Sequence, residues 1–253
     1  MPTMAQPSSP PPHAVSTWSG SAREEAVQRM FTAIARWYDL NNSLLSFGLH
    51  HAWKRRAIAC VPSKPEARVL DLGAGTGDLA IGMARRLDPT GHVLAADLNR
   101  AMLQVGVQKI FRQAPPAPTT CLQMNAERLT LRDASIDAVT AGFCIRNVGD
   151  CMRAFREIHR VLKPGGRFVC LEFSRPVYGW LRGLYDWYSF YLLPWIGRMV
   201  ARDRTGVYEY LPASIRTFPD QEQLCGLLKE AGFRTVEYRN LTGGIVAIHV
   251  ATK

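Results

Sequence analysis

Apolar positions recur at spacings of three and four between Ala22 and Cys60, where Val27, Met30, Phe31 and Ile34 are followed by Leu44, Leu45 and Phe47. That period predicts helices. Beyond Cys60 the pattern changes. Ala67–Leu72 is a short apolar run suited to a buried strand, Thr76–Leu87 returns to helical spacing, and His92–Asp97 predicts a second strand. Asn99 supplies an N-cap for a helix reaching about Gln113, and the loop Ala114–Pro118 breaks the pattern. Ile136–Phe143 reads as a strand and Cys151–Leu162 as a helix; Lys163-Pro164-Gly165-Gly166 stops it before a strand over Arg167–Phe173. A long aromatic-rich helical insertion then separates this strand from a helix over Phe218–Ala231 and from strands near Arg234–Arg239 and Gly244–Ala251. Strands alternating with helices predict an α/β fold with a doubly wound sheet. One domain over 21–253 is expected, with 174–216 as a helical insertion that covers the substrate. Residues 1–20, rich in Pro and Ser, are expected to be a disordered tail.

The net charge of +10 and pI near 9.6 favour anionic partners, whether nucleic acid or an acidic membrane face, without choosing between them. The first twenty residues lack Lys, Arg and any apolar run, so no secretory leader is expected. No stretch approaches the roughly 18 uninterrupted apolar residues of a spanning helix. The six cysteines include no CxxC pair and no Cys/His cluster, so no metal is expected, and Cys144 and Cys170 fall in strand-like runs as small core residues.

The most informative local feature is Val69-Leu70-Asp71-Leu72-Gly73-Ala74-Gly75-Thr76-Gly77-Asp78, a strand entering a glycine turn that opens a helix. Glycines let a ligand approach the backbone closely. A dinucleotide site would use G-x-G-x-x-G, whereas the spacing here is G-x-G-x-G. Asp71 before the first glycine suits a cofactor carrying an ammonium and a sulfonium better than a pyrophosphate. Asp97, twenty residues after Gly77 at the end of the second strand, can accept bonds from both hydroxyls of a ribose. The polar turn Asn125-Ala126-Glu127 can meet an adenine edge. Together these features resemble the class I S-adenosylmethionine-dependent methyltransferases, which implies a Rossmann-like seven-stranded sheet with an antiparallel last hairpin and S-adenosylmethionine as cofactor.

Blocks outside those motifs narrow the resemblance. Phe31–Arg55 reads FTAIARWYDLNNSLLSFGLHHAWKR; Ile145-Arg146-Asn147-Val148 follows the fourth strand; Leu171-Glu172-Phe173-Ser174-Arg175-Pro176 ends the fifth; and Asn240-Leu241-Thr242-Gly243-Gly244 precedes the closing strand. The chain beyond its tail resembles the ubiquinone/menaquinone-biosynthesis C-methyltransferases (UbiE/MenG type). The resemblance implies methyl transfer to a ring carbon of a polyprenylated quinol, demethylmenaquinol first and the ubiquinol-pathway benzoquinol second. It assigns Thr76, Asp97, Asn125 and Ala126 to the cofactor; Asp71, Gly73 and Gly75 join them on the reading of the glycine turn above. Arg146, with Asn147, takes a water-assisted base role, and Tyr38 stands on the substrate side. Two departures stand out: Asn41-Asn42-Ser43 replaces the usual Met-Asn-Asp, and Gly142 occupies a position often held by Ser. His50 lies in a matched block and reads more readily as packing than as a base. Arg146 has the alternative reading of a surface ion pair.

Residues 176–210 hold ten of the 24 aromatic residues. Leu181, Leu184, Tyr185, Tyr188, Leu192 and Trp195 follow helical spacing, which suits either a core or a lipid-facing surface. A prenyl-tailed substrate implies a cytoplasmic protein docked reversibly on the inner membrane face, with Arg198, Arg202 and Arg204 beside the aromatic stripe. A homodimer is compatible with the sequence. Two other readings compete, a nucleic-acid methyltransferase and a non-catalytic scaffold. Gly142-Phe143-Cys144-Ile145-Arg146 lacks the Asp/Asn-Pro-Pro-aromatic signature of amino-group methylases, and the intact glycine turn argues against a scaffold.

Overall fold

The computed structural model describes residues 20–189 and 207–253. Seven strands form one sheet: β1 (Arg68–Leu72), β2 (His92–Asp97), β3 (Thr119–Gln123), β4 (Ile136–Gly142), β5 (Leu162–Phe173), β6 (Thr235–Leu241) and β7 (Val246–Thr252). Their order is β3-β2-β1-β4-β5-β7-β6, parallel except for β7, which runs antiparallel to both neighbours. The order reverses between β1 and β4, and it is outside such a switch point that an open α/β sheet leaves a crevice.

Side-chain alternation along the strands builds two cores, one on each face. Leu70 and Leu72 of β1 pack with Phe155, Ile158, Phe168 and Leu228 on one side. Val69 packs with Trp53, Leu79, Met83 and Ile248 on the other. The helices that cover these faces are α4 (Asp78–Arg86), α5 (Arg100–Gln113), α6 (Cys151–Val161) and α9 (Gln221–Glu230). Asn99 caps α5 as expected, its side chain accepting from Met102 N at 3.0 Å. Asp150 caps α6, and Asp220 with Gln223 forms a capping box at α9.

Three N-terminal helices, α1 (Gly20–Ile34), α2 (Tyr38–Leu45) and α3 (Leu49–Ala59), sit over the carboxyl ends of the strands. Val27, Met30 and Ile34 of α1 bury against Tyr210 of α8 (Val207–Thr217), a third and smaller core. Within the insertion, α7 (Gly179–Trp187) and α8 are helical. Leu192, Trp195, Arg198, Arg202 and Arg204, like the tail up to residue 19, lie outside the described residues.

Several element limits differ from the sequence pattern, among them that of α9, which opens at Gln221 rather than Phe218 behind the Asp220 cap. Helix α4 opens at Asp78 rather than Thr76, because Gly77 takes a left-handed conformation (φ 84°) and holds the turn open. Strand β5 begins at Leu162, which pairs with Ile136 before an irregularity carries the register on to Arg167 opposite Ala138.

Candidate active site

A cleft lies above the β1/β4 switch point. Its wall includes Gly73, Gly75, Asp97, Asn125, Ala126, Gly142 and Asn147. Gly73 has a positive φ of 66°, and a Cβ there would collide with the Cys144 side chain. Gly75, also at positive φ, donates its N–H to Asp97 Oδ2 at 2.7 Å, while Asn99 N–H donates to Asp97 Oδ1 at 2.7 Å. The Asp97 carboxylate is thereby fixed at the tip of β2 with lone pairs left for a ligand. Burial pushes its pKa up, against the lowering effect of those two backbone donors. Asn125 turns its Oδ1 back to Glu127 N–H at 2.8 Å, which closes the polar turn below the cleft.

Helix α1 roofs this cleft with Glu24, Val27, Gln28 and Phe31. Asn99 Nδ2 donates to Gln28 O, Gln28 Oε1 and Thr32 Oγ1, each at 2.9 Å, and Arg23 donates to the Arg146 carbonyl at 2.9 Å. None of these α1 contacts was legible in the sequence, since they join positions some 70 to 120 residues apart.

Asp71 and Thr76 are not in the cleft wall. Asp71 follows the parity of Val69, so its side chain enters the α4 face, where Thr140 donates to Oδ1 at 2.7 Å and Oδ2 has no hydrogen-bond partner among the described residues. Burial pushes its pKa up to about 7, against the lowering hydrogen bond from Thr140. Thr76 donates its hydroxyl to Asp39 Oδ1 at 2.5 Å. Asp39 Oδ2 in turn accepts from Lys109 at 2.6 Å; Lys109 also pairs with Asp78, which Lys54 reaches at 2.6 Å. Burial by itself would raise the Asp78 pKa, but the two lysines hold it well below the carboxylate range.

A second, apolar cavity of about 380 Å³ adjoins the cleft. Phe31, Tyr38 and Phe143 line both spaces, so the two meet there. Leu181, Leu184, Tyr185 and Tyr188 of the predicted aromatic stripe line the cavity, and Tyr188 also packs against the core under α1. Arg146 lies in the cavity wall. It is buried and no surface ion pair: its Nη1 donates to Glu172 Oε1 at 2.6 Å and to the Phe143 carbonyl at 2.7 Å, and the guanidinium stands 5.3 Å from the centre of the Phe173 ring. Burial opposes the charge, but Glu172 and then the Tyr38 and Tyr210 phenols raise the pKa further, so Arg146 stays a cation and cannot be a base. Asn147, in the cleft wall, accepts from the Tyr210 hydroxyl at 3.1 Å. Glu172 and Tyr210 are the partners that sequence reasoning missed. Glu172 stood in a matched block, yet only the pairing of β5 with β4 shows what it holds.

Cys170 is buried as expected. Cys144 packs against the same core and also borders the cleft, its thiol donating to the Leu72 carbonyl at 3.1 Å. Burial pushes both thiols well above their usual pKa, so neither is a nucleophile.

A seven-stranded sheet of this order, with a glycine-loop cleft ending in Asp97, defines a class I S-adenosylmethionine-dependent methyltransferase. Solved structures show the same fold at low identity: an S-adenosylmethionine-dependent methyltransferase from Thermotoga maritima (TM-score 0.60, 19% identity, 90% of this chain and 98% of that one). The [4+2]-cyclase SpnF superposes comparably (TM-score 0.62, 19% identity, 80% and 81%). The family comes from sequence: a model of the ubiE/COQ5 methyltransferase family matches residues 19–253, and the chain belongs to that family. It is 48% identical over 231 residues to the ubiquinone/menaquinone biosynthesis C-methyltransferase UbiE of Vibrio vulnificus, covering 90% of this chain and 88% of the relative. It is equally 48% identical over 227 residues to UbiE of Pectobacterium atrosepticum, covering 90% of each.

Proposed function

We propose that the chain methylates a ring carbon of a polyprenylated quinol with S-adenosylmethionine, demethylmenaquinol first and the related benzoquinol second. The observation that carries this reading is the junction of a polar cofactor cleft with a long apolar cavity at Tyr38, Phe31 and Phe143. A wall made mostly of Leu, Phe, Tyr and Trp side chains suits an apolar tail better than the hydrogen-bonding edge of a nucleic-acid base.

The cleft fits the cofactor. Bare backbone at Gly73 and Gly75, the fixed Asp97 carboxylate and the Asn125-Ala126 turn offer surfaces for a nucleoside. When bound, the cofactor supplies an electrophilic methyl group on a sulfonium. Asp97 holds the ribose and Asn125-Ala126 the adenine. Thr76 takes a direct part only if its hydroxyl turns from Asp39 toward the cofactor, and Asp71 acts through the strand end it supports.

The ring carbon needs electron density, which comes from deprotonating a neighbouring ring hydroxyl. Arg146 stabilises the phenolate oxygen from a site where little water screens the charge. With Asn147 it positions the group that accepts the proton, and Tyr38 Oη borders the same point. Glu172 keeps the guanidinium oriented, and Phe143 and Phe173 exclude solvent. Holding two reactants at attack distance contributes on the order of 7 kcal/mol or more in such reactions.

The same reading places the chain at a membrane surface, reversibly, at the cytoplasmic face of the inner membrane. Phe47, 76% exposed, and Trp180, 72% exposed, stand with Trp37, Leu44, Leu184 and Trp187 among the exposed residues of α2, its following loop and α7, several of them in the cavity wall. Among the described residues no helix is long and apolar enough to cross a membrane. A homodimer is compatible with this arrangement.

The test is transfer of labelled methyl from S-adenosylmethionine to short- and long-tailed quinols by wild type, Asp97→Ala and Arg146→Leu. Asp97→Ala is expected to weaken cofactor affinity by about 2 kcal/mol. Arg146→Leu is expected to keep cofactor affinity within a few fold while lowering the single-turnover rate by about a hundredfold. Label entering RNA and no quinol would overturn the reading.

A further inference from the structure

Within the apolar cavity, three buried side-chain atoms have no hydrogen-bond partner among the described residues: Arg146 Nε, Asn41 Nδ2 and His50 Nδ1. Arg146 belongs to the reacting end. Asn41 and His50, only 6% and 4% exposed, take no part in the chemistry already described. Buried polar groups are normally paired, so two unpaired ones on residues that line a common cavity point to a ligand's polar atom.

The hydrogen bonds around His50 fix which ring nitrogen carries the proton. Ser43 donates its hydroxyl to the Asp39 carbonyl at 2.8 Å. A hydroxyl has one proton to give, so toward His50 Nε2, 3.1 Å away, Ser43 Oγ is an acceptor. Nε2 therefore bears the hydrogen, and Nδ1 is left with a bare lone pair. Burial, with Lys54 and His51 adding to it, pushes the imidazole down to about 4, so it remains neutral.

Residues lining the cavity thus hold one unpaired donor, the Asn41 amide, and one unpaired acceptor, His50 Nδ1. A hydroxyl within reach of the two satisfies both, because its oxygen accepts from the amide while its proton goes to the imidazole. A carbonyl or an ether satisfies only the amide. Asn41 follows Tyr38 by three residues on α2, so the two share a face about 5–6 Å apart. The two oxygens of a para-diphenol are separated by a distance of the same order.

We infer that Asn41 and His50 bind the ring hydroxyl opposite the one at Arg146, and so select the reduced quinol over the quinone. This inference rests on the quinol reading above. The Asn41-Asn42-Ser43 sequence, which departs from the usual Met-Asn-Asp, supplies both parts of the arrangement: Ser43 sets the tautomer and Asn41 is the donor.

The experiment compares wild type, Asn41→Leu and His50→Phe on three short-tailed acceptors: the para-diphenol, its methyl ether at the distal oxygen, and the phenol lacking that oxygen. Thermal melting and S-adenosylmethionine affinity are measured on each variant. Wild type is expected to favour the diphenol over both analogues by at least about tenfold in kcat/KM. Each variant should lose about tenfold or more on the diphenol, mainly through KM, and shrink its preference to within about threefold. The quinone should compete with the diphenol at least about tenfold more weakly against wild type than against His50→Phe. If the variants lower all three acceptors by one common factor, the two side chains only shape the cavity and the inference is overturned. Asn41→Leu decides the matter alone should His50→Phe not fold. Wild type that methylates none of the acceptors would remove the quinol reading itself; activity without discrimination at the distal oxygen removes only this inference.

Discussion

Single residues in this protein act according to which face of an element they occupy. Arg146 and Glu172 are 26 residues apart and meet only because β4 and β5 lie side by side. Removing either partner leaves a buried charge uncompensated. Asp71 shows the same dependence with a measurable signature. Its carboxyl is pushed up to about 7 in the folded chain, against about 3.9 in an unfolded one. Below pH 4 both states are protonated and the group costs nothing. As pH rises from about 4 to 7 the unfolded state releases its proton first, so folding loses stability across that window, by about 4 kcal/mol as an upper bound. Asp71→Asn keeps an acceptor for Thr140 and cannot titrate. Its stability is therefore expected to vary less between pH 4 and 7 than that of wild type, which urea unfolding at pH 5 and pH 8 measures. Equal slopes for the two proteins would mean that Asp71 is not the buried titrating group.

Whole elements are joined by polar contacts that bridge the cofactor half and the substrate half. The chain Lys54–Asp78–Lys109–Asp39–Thr76 links α3, α4, α5, α2 and the glycine loop. It fastens α2, which carries Tyr38 and Asn41, to the glycine loop. Asp39→Asn removes the charge while keeping the shape. Because Asp39 is partly exposed, the expected loss is modest: cofactor dissociation constants rise about three- to tenfold and the quinol KM rises with them. Calorimetry with S-adenosylmethionine checks the first and steady-state kinetics the second. Unchanged values for both would reduce the chain to ordinary surface pairing. The elements themselves were legible: strand and helix periods, the Asn99 cap and the Lys163–Gly166 stop are local signals that act within a few residues. Their assembly was not, since α1 over the cleft depends on side chains from distant segments meeting at Asn99.

At the scale of the whole molecule, the exposed aromatic residues of two segments far apart in sequence, Trp37–Leu49 and Tyr178–Trp187, belong to elements that line one apolar cavity. Seating them in a bilayer buries apolar area and lets a prenyl tail pass without crossing water. Phe47→Ser/Trp180→Ser is expected to lower co-sedimentation with acidic liposomes several-fold at low salt, and to reduce the preference for long-tailed quinols, while activity on tail-less quinols changes less than twofold. Equal sedimentation of both proteins would mean that this rim is not the docking surface. The aromatic excess of 176–210 is visible in composition, which reports within a window and cannot show that the loop after α2 adds to the same cavity. By itself the sequence determined the α/β grammar, the glycine turn with Asp97, and the family, because each is written in short stretches whose physics is local. Only the tertiary structure decided that Asp71 faces inward, that Glu172 holds Arg146, and that Ser43 leaves His50 with an open lone pair, because each depends on which atom of a distant element stands within hydrogen-bond reach.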